Sequence, residues 1–202
     1  MAGTRVASAR ERLLEATAEL IYGGGIEATG VDAIARSAGV TKRTLYQHFG
    51  SKDELVGAAL AAKDAGAITA LRSAVERRIA KRERPVAALF AVLRRVFSQG
   101  GYEGCAFLNA GLEMHNPEHP VRRAVRSHTD ARRALVADLV RAEGIDDEAT
   151  IDAISFIAEG AFALSASRRD PSVAARAASA ARVVMDAYRD DRDDRDDWHA
   201  GS

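Results

Sequence analysis

The stretch TKRTLYQHFGSKDEL, residues 41–55, crowds threonines, two adjacent cations, a tyrosine, a glutamine and a histidine around three large apolar residues, Leu45, Phe49 and Leu55. Thr41 is a natural N-cap. A helix starting behind it puts Leu45 and Phe49 on one face, while Lys42, Arg43, Thr44, Gln47 and His48 point elsewhere. Ser51 and Glu54 have the spacing of a capping box that opens the next helix. The stretch therefore predicts a short helix with an apolar underside and an outer face rich in hydrogen-bonding groups.

Upstream, residues 8–22 repeat apolar side chains at three-and-four spacing (Leu13, Ala16, Leu20), and three glycines at 23–25 stop that helix. Thr29 and Asp32 resemble a capping box ahead of Ile34, Ala35 and Ala38, and Gly39 supplies a turn. Helix, glycine turn and helix within residues 30–49 have the size and punctuation of a helix-turn-helix, whose second helix enters the major groove of duplex DNA. Residues from Thr41 to His48 suit that task. Lys42 or Arg43 can bond guanine, and Thr44 or Gln47 can meet adenine, thymine or a sugar-phosphate. Tyr46, His48 and Lys52 have the reach and terminal donors for phosphate clamping, and Thr29 with the helix start behind it offers a further phosphate seat. The plainer explanation is a solvated helical face. Against it stand the lack of any acid between Asp32 and Asp53 and an exposed aromatic, Tyr46, that needs a partner.

Composition agrees with an all-helical chain. Of the 202 residues 47% are hydrophobic but only 5% aromatic, and alanine is abundant, which favours closely packed helices over sheets. The 29 cations and 29 anions cancel, yet Arg36 to Lys52 carries four cations and no acid. The single cysteine excludes an intramolecular disulfide, the N-terminus has no secretory core, and uncharged runs such as 160–167 fall short of the ~18 residues of a membrane span. A soluble cytoplasmic protein with no membrane partner is expected.

Further along, a long alanine-rich helix is expected from 51 to about 82, and Pro85 suits the first turn of the next. GGYEG at 100–104 breaks the chain before CAFLNAGLEM. A basic helix should run from about 121 to 143, another through 167, and a last one from an Asp170 cap and Pro171 to about Tyr188. The RDDRDDRDD repeat has nothing apolar to bury, so 190–202 should be disordered. That makes about nine helices: a three-helix helix-turn-helix domain at 1–50 and a helical domain at 51–189.

The segment VDAIARSAGVTKRTLYQHFGSKDELV, 31–56, resembles the DNA-binding domain of the TetR family of bacterial transcriptional regulators. Ile34, Ala35, Ala38, Gly39, Val40, Leu45, Tyr46, Phe49, Lys52 and Leu55 stand where that family's pattern puts them. The resemblance implies base contact by Lys42, Arg43 and Thr44 and phosphate contact by Tyr46, His48 and Lys52. It also implies a C-terminal ligand-binding and dimerisation domain, and a homodimer whose two recognition helices change separation when a small molecule binds.

One recognition helix reads few bases, so a two-fold dimer on a palindromic operator is the expected geometry. Ile154, Ile157, Gly160, Ala161 and Leu164, with Val173, Ala177, Ala180 and Val184, stripe the last two helices and are the interface candidates; the subunit's own core is the competing explanation. Phe90, Leu93, Phe97, Tyr102, Phe107, Leu108 and Leu112 can line an apolar effector cavity, with Asn109 and Glu113 as orienting polar groups, although each also serves as plain core. Cys105 at a helix start raises a redox role, with a small buried side chain as the commoner alternative. Glu113, His115 and His119 lack a helical register that would converge them on a metal. No nucleophile elbow, phosphate loop or zinc-spaced histidine pair occurs, so neither enzymatic activity nor a cofactor is expected. The chain reads as a ligand-responsive DNA-binding repressor, with a helical protein-interaction adaptor as the alternative.

Overall fold

The computed structural model describes residues 7–200, and their side chains except at 65 and from 190 onward. Among the described residues there are nine α-helices and no strand: α1 Ala9–Gly24, α2 Val31–Ser37, α3 Lys42–His48, α4 Lys52–Ile79, α5 Pro85–Phe97, α6 Ala106–Glu113, α7 Pro120–Arg141, α8 Glu148–Arg168 and α9 Val173–Ala200. The all-α expectation and the helix count hold.

The chain divides into two compact units, residues 1–68 with 105–129 and residues 69–104 with 130–202. The expected boundary at 50 is too early, because the first unit also takes the start of α4, α6 and the start of α7. Gly57 shows one reason: a Cβ there would come within 2.9 Å of Pro120 Cβ and 3.1 Å of that residue's backbone carbon, so glycine lets α4 approach the start of α7.

In the first unit, Leu13, Ala16, Ile34, Ala35, Ala38, Leu45, Phe49 and Leu55 form one core, joining α1, α2, α3 and the beginning of α4. Each buried Leu, Ile or Phe contributes roughly 1.5–3 kcal/mol by leaving water. Capping sets the register of these short elements. Ser8 and Glu11 cap α1 reciprocally, and Gly25 ends it at φ 82, where a left-handed backbone favours glycine.

In the second unit the core gathers Phe90 and Leu93 of α5, Leu135 and Val140 of α7, Ile151 and Ile154 of α8, and Val173, Ala177 and Met185 of α9. Glu143, with its side chain only 6% exposed, accepts from the Val86 backbone N–H at 2.9 Å and from Arg84 and Arg189, each at 2.8 Å. It thus caps α5, whose N-cap residue Arg84 makes no side-chain cap bond. At α8, Asp147 accepts from both the hydroxyl and the backbone N–H of Thr150; these bonds, hydroxyl first, hold its carboxyl below the usual range.

Two ends of the last helix differ from expectation. Asp170 and Pro171 form a turn, with Asp170 Oδ1 accepting from the Ser172 N–H at 2.8 Å, and α9 begins only at Val173. The helix also continues through Ala200, over residues expected to be disordered. Extension of an existing helix needs no new nucleus, so a polar run can prolong it without burying anything.

α8 has the length and composition of a membrane span, with mean hydropathy 1.3 over its most apolar window, which the uncharged runs of the sequence did not lead one to expect. The cause is that it is apolar on two sides. Ile151, Ile154, Ala158 and Ala161 face the core, while Phe156 (73% exposed) and Leu164 (46%) face outward.

Candidate nucleic-acid interface

α3 is positioned by its underside. Leu45 and Phe49 are buried in the core of the first unit. Thr41 caps the helix, its Oγ1 accepting from the Thr44 N–H at 3.1 Å and lying 2.9 Å from Thr44 Oγ1. Arg12 of α1 holds the turn before it, Nε donating to the Ala38 carbonyl at 2.9 Å, and the Arg10 guanidinium sits 5.3 Å from the Phe49 ring centre. Neither arginine was singled out from the sequence. Their position on the first turn of α1 is visible there, but their partners are not.

With that face fixed, Thr41, Lys42, Arg43, Tyr46, Gln47 and His48 are all exposed, Tyr46 by 48%. Lys42 Nζ lies 3.1 Å from Asp32 Oδ1 in an ion pair open to water, so the nearest acid of α2 holds one of the four cations. Arg36 and Arg43 remain exposed on α2 and α3. The face combines planar and ammonium cations with hydroxyl and amide groups, the mixture that reads base edges and grips phosphates.

Two of the expected contacts point elsewhere. Thr29 is 5% exposed and its hydroxyl donates to the Gly25 carbonyl at 2.7 Å, so its side chain closes the α1–α2 turn; the N-cap of α2 is Gly30. Lys52 Nζ donates to the Ile26 carbonyl at 2.6 Å, using one of its three donors inside the unit. At the start of α4, Ser51 Oγ accepts from the Glu54 N–H, while the Glu54 carboxylate reaches the N–H of Gly50 instead of that of Ser51.

The residues expected to line an effector cavity do not gather in one unit. Phe90, Leu93, Phe97 and Tyr102 belong to the second unit, and Phe107, Leu108, Asn109, Leu112 and Glu113 to the first. Leu112 is 71% exposed. Glu113 points at the α1–α2 turn, where it accepts from the backbone N–H groups of Ile26 and Glu27. Within the second unit a cavity of about 260 Å³ is lined by Val86, Phe90, Ala178 and Met185, with Arg84, Glu143 and Arg182 supplying charge; of the expected residues it includes only Phe90.

The basic face of α7 is occupied locally. Arg122, Arg123 and Arg126 donate to the carbonyls of Met114, Glu118 and Pro117. Arg132 pairs with Glu159, and Arg133 with Glu148 and Asp152, bonds that raise the Arg133 pKa, Glu148 foremost. Of the interface candidates, Ile154, Ala161, Val173 and Ala177 are buried in the second unit's core, and Ile157 and Val184 pack on it. The four buried ones serve the subunit's own core, because a side chain with almost no open surface cannot meet another molecule, whereas Ile157 and Val184 keep part of their surface open. Gly160 is half-buried; Leu164 and Ala180 are exposed, as is Ala163, and so are Phe156 and Val183, which the sequence reading did not single out as interface candidates.

The family description "Bacterial regulatory proteins, tetR family" matches residues 13–59, the span from α1 into α4. A crystal structure of a TetR-family transcriptional regulator from Streptomyces coelicolor is 33% identical, covering 88% of this chain and 94% of its own, with a TM-score of 0.74. A tetR-type regulator from Streptomyces avermitilis is 26% identical over 90% of this chain and 98% of its own, with a TM-score of 0.76. The HTH-type transcriptional activator FasR of Mycolicibacterium smegmatis is 33% identical over 131 residues, 65% of this chain. The chain spans 58% of FasR, and 25% of the HTH-type regulator SrpR of Pseudomonas putida. On the likeness to the Streptomyces coelicolor structure over nearly its whole length, together with the match across α1 to α4, the chain belongs to the TetR family of transcriptional regulators, which are not enzymes.

Proposed function

We propose that this regulator binds a palindromic operator in double-stranded DNA as a homodimer, through α3 in the major groove, and is released by a small molecule, which makes it a repressor wherever the operator overlaps a promoter. The observation that carries the reading is α3 itself: two buried apolar residues fix it while Arg43, Tyr46, Gln47 and His48 stand open to solvent. Arg43 suits a bidentate contact to guanine, Gln47 one to adenine, and Tyr46 and His48 the flanking phosphates.

The second chain would meet the outer faces of α8 and α9. Phe156 and Val183, 73% and 63% exposed, are large apolar groups open on that side, and small residues (Gly160, Ala163, Ala180, Ala187) stand beside them in helical spacing. The effector would enter the second unit. Its cavity of about 260 Å³ is near the small end for such sites, with an apolar floor and a few charged groups that can orient a ligand. Release requires that the effector bind the DNA-incompetent state more tightly than the competent one, since equal affinity shifts nothing.

The test is selection of duplexes from a genomic fragment pool by the purified protein at near-physiological salt, followed by sequencing. A two-fold symmetric site is the expected result. Retention of no fragment after unfolding and refolding to strip bound ligand, or of random sequence only, would sink the reading and favour a protein partner for α3. Salt separates the two partners, because phosphate binding weakens steeply with salt and a packed protein interface does not.

A further inference from the structure

Three side chains of the first unit, from three separate segments, stand in series. Cys105 at the N-cap of α6 has its Sγ 3.8 Å from Nε2 of His128 on α7, and Nδ1 of the same ring is 2.7 Å from Oδ1 of Asp64 on α4. The ring of Phe107 lies flat on the imidazole, with centroids 3.7 Å apart and planes 8° apart, so the histidine has one orientation. The side chains of His128 and Asp64 are 5% and 14% exposed, and Cys105 is 8% exposed. The DNA-binding reading uses none of them.

A buried histidine–aspartate pair is a poor device for mere docking of α7 on α4, because its desolvation offsets most of what its attraction contributes. The order of the groups has a chemical meaning instead. With Asp64 accepting from Nδ1–H, the lone pair of the neutral ring is on Nε2, the nitrogen that faces the sulfur. Nucleophile, base and a carboxylate that orients the base is the arrangement that activates serine and cysteine nucleophiles on unrelated folds.

We propose that Cys105 is a peroxide-reactive thiol, with His128 as its base and Asp64 as the residue that positions His128. The thiol proton passes to Nε2 and the sulfur attacks one oxygen of hydrogen peroxide. An S–O bond forms, the O–O bond breaks, and the sulfur is oxidised by two electrons. The departing oxygen takes the proton from Nε2 and leaves as water, so the balance is one thiol and one peroxide to one sulfenic acid and one water. Cys105 is nearly covered, which admits a reagent of two oxygen atoms more readily than a bulky one. The sequence has one cysteine, so the sulfenic acid has no second thiol in its own chain with which to condense. Because the sulfur is buried between α6 and α7, the added oxygen must displace the His128 ring or the start of α6.

The experiment treats the full chain with hydrogen peroxide, traps sulfenic acid with dimedone and follows the Cys105 adduct by mass spectrometry. The same chain unfolded in urea serves as reference. Native protein should react faster than unfolded protein. His128→Gln should slow the native reaction by roughly tenfold or more, in line with the loss of a general base. Asp64→Asn, with the imidazole retained, should slow it less and change the shape of its rate–pH profile, which a purely structural role would not. Circular dichroism establishes that the variants are folded, and if His128→Gln is not, the native-against-unfolded comparison decides alone. A native rate at or below the unfolded rate, or a folded His128→Gln with an unchanged rate, overturns the proposal.

Discussion

The Glu113 carboxylate lies 2.8 Å from the backbone nitrogen of Ile26 and 3.2 Å from that of Glu27, while Lys52 Nζ holds the Ile26 carbonyl from the other side at 2.6 Å. One peptide in the turn before α2 is therefore gripped from α6 and from α4 at once. Gly25 belongs to the same arrangement, since a Cβ there would stand 3.2 Å from Glu113 Oε1 on a backbone with φ 82. Replacing Glu113 by alanine leaves two N–H groups without their acceptor and should lower the stability of the first unit by roughly 1–3 kcal/mol. Urea unfolding with duplex titration in parallel checks it: operator affinity should fall with stability. A variant as stable as wild type would mean that water replaces the carboxylate at no cost.

The exposed residues of α3 divide into two kinds of contact, and substitutions should separate them. Arg43→Ala should reduce discrimination between the operator and a changed base pair by ~1–3 kcal/mol, whereas Tyr46→Phe should weaken all duplexes alike. Asp32 adds a third expectation, because its carboxylate holds Lys42 at 3.1 Å. Asp32→Asn should free that ammonium for phosphate and steepen the salt dependence of binding by about one unit of log K per log salt. Fluorescence anisotropy across a salt series measures all three effects. Arg43→Ala and Tyr46→Phe that both bind like wild type would remove α3 from the interface.

The helix-turn-helix was legible because its signals are local. Gly39, Thr41 and the Leu45–Phe49 pair lie within eleven residues, and turn, cap and apolar spacing are written in that order. The partners of Glu113 were not legible, since Ile26 is 87 positions away and nothing in either segment names the other. The same holds for His128 and Asp64, 64 positions apart. The stripes on α8 and α9 were ambiguous for a different reason. Periodicity finds an apolar face without saying what it meets, and α8 has two, so the buried Ile154 and the exposed Phe156 both sit in a plausible stripe. Thr29 misled because a threonine before a helix reads as a cap, while here Gly30 takes that position and Thr29 closes the turn behind it.

Acid should weaken the second unit through two turns. The Asp147 carboxyl is held low first by the Thr150 hydroxyl and then by its N–H, and that of Asp170 by Ser172 in the same way. A carboxyl whose folded pKa lies below its unfolded value contributes stability that is fully present above about pH 4 and is lost as pH falls through the folded value. The double variant Asp147→Asn with Asp170→Asn keeps capping groups but cannot titrate. Its urea midpoint should fall less steeply than that of wild type below about pH 4, and the two curves should run parallel above it. Curves that stay parallel throughout would show that these caps do not contribute to the acid dependence.

The dimer proposal predicts opposite results for two neighbouring positions on α8. Ile154 is fully buried in the subunit and Phe156 is 73% exposed. Ile154→Asp should unfold the second unit, because it puts an unpaired charge in the core. Phe156→Asp should leave the helical circular dichroism intact and act only on association. In a two-fold interface each substitution is met twice, so a side chain worth about 2 kcal/mol per copy changes the dimer by about 4 kcal/mol, close to a thousandfold in Kd. Val183→Asp, on the exposed face of α9, should act in the same direction. Sedimentation equilibrium gives the outcome directly: wild type as a dimer, both exposed-face variants as folded monomers at the same concentration, with operator affinity reduced because a single α3 reads too few bases. A wild type that sediments as a monomer, or a Phe156→Asp dimer as tight as wild type, would show that these faces of α8 and α9 meet something other than a second copy of the chain.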